Sequence, residues 1–229
     1  MSIRPATLAA AAAVAAASLL AAAPAFADAN LVADGGFEST VLPDGTWGFY
    51  DAGNPLSGWT ASTGAGDDIE VRHDAAGTGH ASDNFVELDS QLHNSAMSQV
   101  LATVAGQTYT LSFWYANRAA SPDYNGVWPG GVVPASSNGL SFDLGSGAIL
   151  VPALADNTSP DNQWVEYVTT FVATGPTTLT FAAQGTSDTF GTSLDDVRVV
   201  AAVSEPAPLA LMAAGLLGLG VVSRRRRQG

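Results

Sequence analysis

The sequence contains no cysteine and no lysine. Without cysteine no disulfide can staple the chain, so a domain of this size needs a full hydrophobic core or a bound metal. Without lysine, positive charge rests on eight arginines, and most of these are crowded at the two ends. Only Arg72, Arg118 and Arg198 lie between residues 28 and 203, against twenty of the twenty-one acidic residues. A body this acidic repels phosphate backbones, which argues against nucleic acid as a partner; it suits divalent cations, and it also suits plain solubility. Catalytic signatures are scarce too. There is no Gly-x-Ser-x-Gly elbow and no phosphate-binding loop. His73, His80 and His93 lack the spacing of helical metal ligands. Paired carboxylates for glycoside hydrolysis are compatible with the composition, but nothing marks two of them as partners. Asp67-Asp68 and Arg72-His73-Asp74 read as solvated turn residues.

What is present begins with two apolar ends. Residues 1–27 read as a secretory signal peptide: Arg4, an Ala-rich stretch from Leu8 to Ala23, then Ala25-Phe26-Ala27 as a small-x-small cleavage site that leaves Asp28 first. Residues 203–229 repeat the logic in reverse. Ser204-Glu205-Pro206 breaks the chain, residues 207–222 are apolar and rich in small side chains, and Arg224, Arg225, Arg226 and Arg227 follow. Such a basic cluster fixes its end of an apolar helix on the cytoplasmic side. At ~1.5 Å per residue the helix is about 24 Å long, short of a bilayer core about 30 Å thick, which suits a transient inner-membrane anchor. This tail resembles a PEP-CTERM sorting signal, with Ser204 where that family usually carries proline. The resemblance implies processing by an exosortase in a Gram-negative bacterium that makes exopolysaccharide, and release to the cell envelope or extracellular matrix.

Between the ends, in residues 28–202, the dominant period is two. Tyr109, Leu111, Phe113 and Tyr115 share one face of a strand, with Thr108, Thr110, Ser112 and Trp114 on the other. Leu140, Phe142 and Leu144 alternate with polar residues, as do Val165, Tyr167 and Phe171, then Leu179 and Phe181. Shorter strands are marked by Ile69 with Val71, Val86 with Leu88, and Val197 with Val199. Turn signals at Ala105-Gly106, Gly145-Ser146-Gly147 and Gly175-Pro176 separate these runs, and no helical period is sustained. The pattern predicts an all-β sandwich. Residues 118–139 form a long Gly/Pro/Ser loop, and residues 41–58 a second loop holding Trp47, Phe49 and Tyr50.

An ordered set of short motifs runs through the whole body: Asn30-Leu-Val-Ala-Asp-Gly-Gly-Phe-Glu38, Gly58-Trp59, Phe85-Val-Glu-Leu-Asp89, Ser98-Gln99, Gly106-Gln107 through Phe113, Trp164, and Leu194-Asp-Asp-Val197. Together they resemble the galactose-binding-like jelly roll of DUF642-type and family 4/9 carbohydrate-binding modules. The resemblance implies a structural calcium joining the first loop to the last strand through Glu38, Asp195 and Asp196. Hard oxygen ligands at the two ends of one domain are the chemistry such an ion takes. Strand alternation places Asp195 on the face of Val197 and Val199, pointing inward, where calcium or Arg72 would neutralise it.

Glycan binding asks for exposed aromatic faces rimmed by polar acceptors. Trp114, on the polar face of its strand, and Tyr124 and Trp128 beside Asp123 and Asn125 in the long loop, are the candidate sugar-facing residues; Trp47 and Tyr50 form a second aromatic group. Trp59 and Trp164 are assigned to packing. The favoured reading is an exported, non-catalytic polysaccharide-binding protein. A purely structural surface or matrix protein is the alternative, and a carbohydrate-active enzyme the weaker one.

Overall fold

The computed structural model describes residues 29–62 and 68–202. The expected signal peptide at 1–27, Asp67, and the expected sorting tail at 203–229 with Ser204, Glu205, Pro206 and Arg224 to Arg227 lie outside the described residues. Among the described residues thirteen strands form two main antiparallel sheets and one short ribbon. The larger sheet runs in the order β1 (Thr46–Tyr50), β3 (Ile69–His73), β4 (Asn84–Glu87), β13 (Ser193–Ala201), β8 (Thr108–Ala116), β11 (Val165–Val172). The smaller runs β10 (Ile149–Leu150), β9 (Leu140–Asp143), β12 (Thr177–Ala183), β7 (Ala96–Leu101), β2 (Thr60–Ala61). The ribbon pairs β5 (Asp89–Ser90) with β6 (His93–Asn94).

The two sheets close over one apolar core, and the period-two pattern is its cause. Tyr109, Leu111, Phe113 and Tyr115 of β8 all point into it, as do Leu179 and Phe181 of β12 and Phe142 of β9. Phe113 sits at the centre, edge-on to Phe181 at 5.0 Å and to Phe142 at 5.9 Å, and stacked on Tyr167 at 5.1 Å. Each fully buried side chain of this kind contributes ~1.5–3 kcal/mol, so a core with Phe37, Phe113, Phe142 and Phe181 at 1% exposure or less needs no disulfide. The sandwich is the expected all-β architecture.

Polar pins close one end of the core. The Gln99 amide donates to the carbonyls of Ala33 and Gly58, at 3.0 and 2.6 Å, and accepts from the Ala33 N–H at 2.7 Å. Trp59 is buried, as its packing assignment expects, and its Nε1 donates to the Asp34 carbonyl at 3.2 Å. Asn30 accepts from the Val199 N–H at 2.9 Å and donates to the Val197 carbonyl. The scattered sequence motifs thus meet in space, tying the first segment to the last strand.

Two loop expectations change. Residues 41–58 are not all loop: β1 is an edge strand that pairs Trp47 with Arg72 and Phe49 with Glu70. The 118–139 segment is anchored and carries two short 3₁₀ turns, at Pro122–Gly126 and Pro129–Gly131. The first is capped by Ser121 Oγ, which accepts from the Asp123 N–H at 3.3 Å. At buried Gly131, φ is 73°, and a Cβ there would overlap the Ser121 carbonyl, so only glycine fits. Among the described residues no helix is long and apolar enough to cross a membrane.

Candidate functional site

The outer face of the larger sheet is not bathed in water at its β1 end. Alternation along β3 sends Ile69 and Val71 into the core and Glu70 and Arg72 outward, yet those two are only 1% and 4% exposed. Arg72 and His73 therefore belong to a strand rather than a solvated turn, and Asp68 just before it is buried as well. Beside β3, β4 presents Phe85 opposite Arg72 and Glu87 opposite Glu70. Arg118, just beyond the end of β8, joins them.

These buried charges survive because they are paired; an isolated one would be prohibitively costly. Glu87 is the hub. Its Oε2 meets the Arg118 guanidinium and stands 3.1 Å from Arg72 Nε, while its Oε1 accepts from the Gly191 N–H. Arg72 also forms an ion pair with Glu70. Burial pushes the Glu70 carboxyl up to about 7, with Glu87 adding to the rise and Arg72 opposing it. For Arg118, burial alone would lower the pKa, but Glu87 and Tyr124 outweigh it and hold the guanidinium above its ordinary value. Nearby, buried Asp89 accepts from the N–H groups of Asp188 and Thr189, both at 2.9 Å, and so fixes the loop that carries Phe190.

Above this charged floor lies a cleft of ≈ 620 Å³. One wall is β1, with Trp47 and Phe49; the other is formed by Tyr124 and Phe190 from two loops, and Asp74 and Asp123 are among the other lining residues. Trp47 is 54% exposed and packs on the Arg72 guanidinium, 5.7 Å from its ring centre. Arg118 orients the opposite wall. Its Nε donates to the Tyr124 hydroxyl at 3.1 Å, and its guanidinium lies 5.8 Å from the Tyr124 ring and 5.5 Å from that of Phe190. Buried charge below and partly exposed aromatic surface at the sides make a concave site suited to a ligand with apolar faces and polar edges.

The sequence-predicted sugar-facing residues divide. Tyr124 and Asp123 line the cleft. Trp128 stands behind that wall, edge-on to Phe190 at 6.1 Å, and Asn125 is exposed on the 3₁₀ turn but does not line the cleft. Trp114 is covered: the His80 ring stacks on it at 3.8 Å and 16°. Trp164 packs edge-on to Phe85 at 5.8 Å, and its Nε1 donates to the Thr78 carbonyl at 3.1 Å. Of the second aromatic group, Tyr50 turns to the core while Trp47 faces the cleft. Phe190, Glu70, Glu87 and Arg118 were not anticipated. The one available signal was scarcity: a chain with three body arginines has two of them here.

The proposed calcium ligands sit at the other end of the same outer face. β13 has a bulge between Asp195 and Arg198, with Asp196 at φ 48°. The bulge resets the alternation, so Leu194, Val197 and Val199 face the core while Asp195 lies opposite Trp114 on the outer face. The expectation that Asp195 shares the face of Val197 and Val199 is corrected on that ground. Arg72 does not neutralise it, being engaged by Glu70 and Glu87. Asp195 Oδ2 accepts from the His80 N–H at 2.8 Å, and Asp196 Oδ2 lies 2.6 Å from His80 Nδ1. Burial pushes the Asp195 carboxyl up to about 7; the backbone N–H groups of His80 and Asp196 oppose the rise, and the charges of Asp196 and Glu38 add to it. Glu38 itself accepts from the Asn84 N–H at 2.7 Å. At Gly36 an added Cβ would stand 3.7 Å from Asp196 Oδ1 and 3.9 Å from Asp195 Oδ1, so both carboxylates border the first loop. Among the described residues no three His, Cys, Asp or Glu side chains already converge as a metal-binding group.

No family model matches the chain, and no curated protein matches it. Solved structures similar to it include a CBM61 domain in complex with β-1,4-galactotriose, 16% identical over 76% of this chain and 99% of that one, TM-score 0.45. The CBM22-1 xylan-binding domain of Paenibacillus barcinonensis is 16% identical over 80% of this chain and all of that one, TM-score 0.43. A family 16 carbohydrate-binding module is 14% identical over 75% of this chain and 99% of that one, TM-score 0.42.

Proposed function

We propose that the protein binds polysaccharide without catalysis, in the cleft between Trp47 and Tyr124. The observation that carries this reading is the cleft itself, with partly exposed aromatic rings on both walls above a buried polar floor. Aromatic faces take up the C–H side of sugar rings, and the rim carboxylates accept from hydroxyls. The floor favours binding over chemistry, since Glu87, Arg72 and Arg118 are spent on one another rather than aimed at a reacting atom. In the same proposal the chain is exported, held briefly at the inner membrane through residues 207–222, and handed by an exosortase to the envelope or matrix.

Calcium belongs to the proposal as a structural ion. Asp195, Asp196 and Glu38 would hold it, and the ion would supply the positive charge that buried Asp195 lacks. The donor set is all oxygen, which fits calcium.

Affinity electrophoresis against a panel of soluble polysaccharides tests the binding reading. Trp47→Ala should lower affinity by about tenfold or more with little change in melting temperature, because the ring is half-exposed. Retention unchanged in a Trp47→Ala/Tyr124→Ala double variant would place the site elsewhere.

A further inference from the structure

We propose that the cleft selects glycans bearing protonated amines, that is, amino sugars, over neutral and anionic glycans. This rests on the glycan reading above and adds the ligand's charge to it.

The charges around the cleft are lopsided. Glu70, Asp74 and Asp123 line it, and buried Glu87 and Asp89 stand behind the floor. Burial raises Glu70 to about 7, so near pH 6 it is mostly protonated, which leaves Asp74, Asp123, Glu87 and Asp89 against two guanidiniums, Arg72 and Arg118, both buried and already engaged by Glu70, Glu87 and Tyr124. Arg198, the remaining arginine of the body, pairs in register with Ser112 and does not line the cleft. A carboxylate or sulfate on a ligand would thus meet no available arginine among the described residues and would face Asp123 at the rim. A ligand ammonium meets the reverse: the carboxylates of Asp74 and Asp123 in the lining, and the faces of Trp47, Phe49, Tyr124 and Phe190 beside it. Aromatic faces attract cations through their negative quadrupole, and a concave low-dielectric site focuses the field of the carboxylates that line it. Sugar rings and ammonium groups need the same walls, which is why an amino sugar fits better than a simple amine.

Isothermal titration of the full-length protein tests this, at about pH 6 and physiological salt. The probes are a glucosamine hexasaccharide, its fully N-acetylated counterpart, an oligogalacturonate and choline. The amine form should bind about tenfold tighter than the acetylated one, and the oligogalacturonate more weakly than either. Raising salt to about 1 M should shrink that margin, and Asp123→Asn should cut it severalfold, weakening the amine form more than the acetylated one. Equal affinity for the amine and acetylated forms, or a preference for the uronate, overturns the selectivity and leaves the glycan reading standing. Amine preference that survives Trp47→Ala marks attraction to the acidic surface and overturns its assignment to the cleft. Choline binding as tightly as the hexasaccharide overturns the sugar half of the inference. No binding of any oligosaccharide, the acetylated one included, brings down the glycan reading as well.

Discussion

The larger sheet has two interiors, one on each face, and strand β3 contributes to both. Ile69 and Val71 enter the core between the sheets; Glu70 and Arg72 enter a layer just as dry beneath the loops. The first interior is held by contacts that have no direction, so its members are interchangeable within limits of volume. In the second, each group depends on a named partner: Glu87 on two arginines, Arg118 on Glu87 and Tyr124, Asp89 on the 187–189 loop. Apolar burial supplies stability wherever it occurs. The charged layer adds orientation, because it sets where Tyr124 and Phe190 stand and so gives the cleft its shape.

The largest effect should come from breaking the second interior at its hub. Glu87→Ala leaves two buried guanidiniums facing each other and should destabilise the fold by ~3–5 kcal/mol, as much as truncating a core aromatic such as Phe181. The comparison sharpens when the whole network is removed. Glu70→Leu, Glu87→Leu, Arg72→Met and Arg118→Met together should restore most of that stability, since apolar groups of similar volume often match a buried ion network. They should still abolish ligand binding, because Tyr124 loses its donor. Denaturant unfolding and titration on the same proteins read both. A quadruple variant as unstable as the single one would show that the charged layer does more for the fold than orient the walls.

Titration offers a smaller and reversible break, confined to the outer face. Glu70 and Asp195 rise from ordinary values of 4.5 and 3.8 to about 7. The folded state therefore holds protons that the unfolded chain has released. Stability from these two groups is fully present below about pH 4 and is lost as pH rises through about 7, by an amount on the order of a few kcal/mol. Melting curves across that window should slope downward, and Glu70→Gln should flatten them. Calcium should oppose the loss due to Asp195, raising the melting temperature more at pH 8 than at pH 5. The same increment at both values, or an undiminished one in Asp195→Asn, would remove calcium from this site.

The first interior was readable in the sequence and the second was not, for a physical reason. Tyr109, Leu111, Phe113 and Tyr115 announce a buried face because apolar side chains gain by leaving water wherever they are. Glu70 and Arg72 announce only the opposite face of the strand. That this face is also buried depends on loops distant in sequence, and a paired charge looks in sequence like a solvated one. Asp195 went astray through a single backbone event: the bulge at Asp196 shifts the alternation by one residue, with a left-handed φ that a non-glycine residue does not advertise. Trp114 is an aromatic on the polar face of its strand. His80 covers it, and nothing in the spacing of residues 80 and 114 brings them together.

Tyr124 and Asn125 pose the finest version of the comparison. They are adjacent on one 3₁₀ turn, and in the sequence they are equally good sugar-binding candidates. In the structure only one of them is wired to the charged layer. Tyr124 is fixed by Arg118 and packs edge-on to Phe190 at 5.1 Å, whereas Asn125 is exposed and does not line the cleft. If binding depends on walls that the buried ions hold in place, Tyr124→Ala should cost at least ~1.4 kcal/mol of affinity, a factor of about ten. Asn125→Ala should change both affinity and stability by less than ~0.5 kcal/mol, as exposed substitutions usually do. Titration of the two variants side by side, with melting curves as control, measures the gap. Equal losses would mean that the turn binds as a flexible polar loop, and that the layer beneath it does not set the geometry of the site.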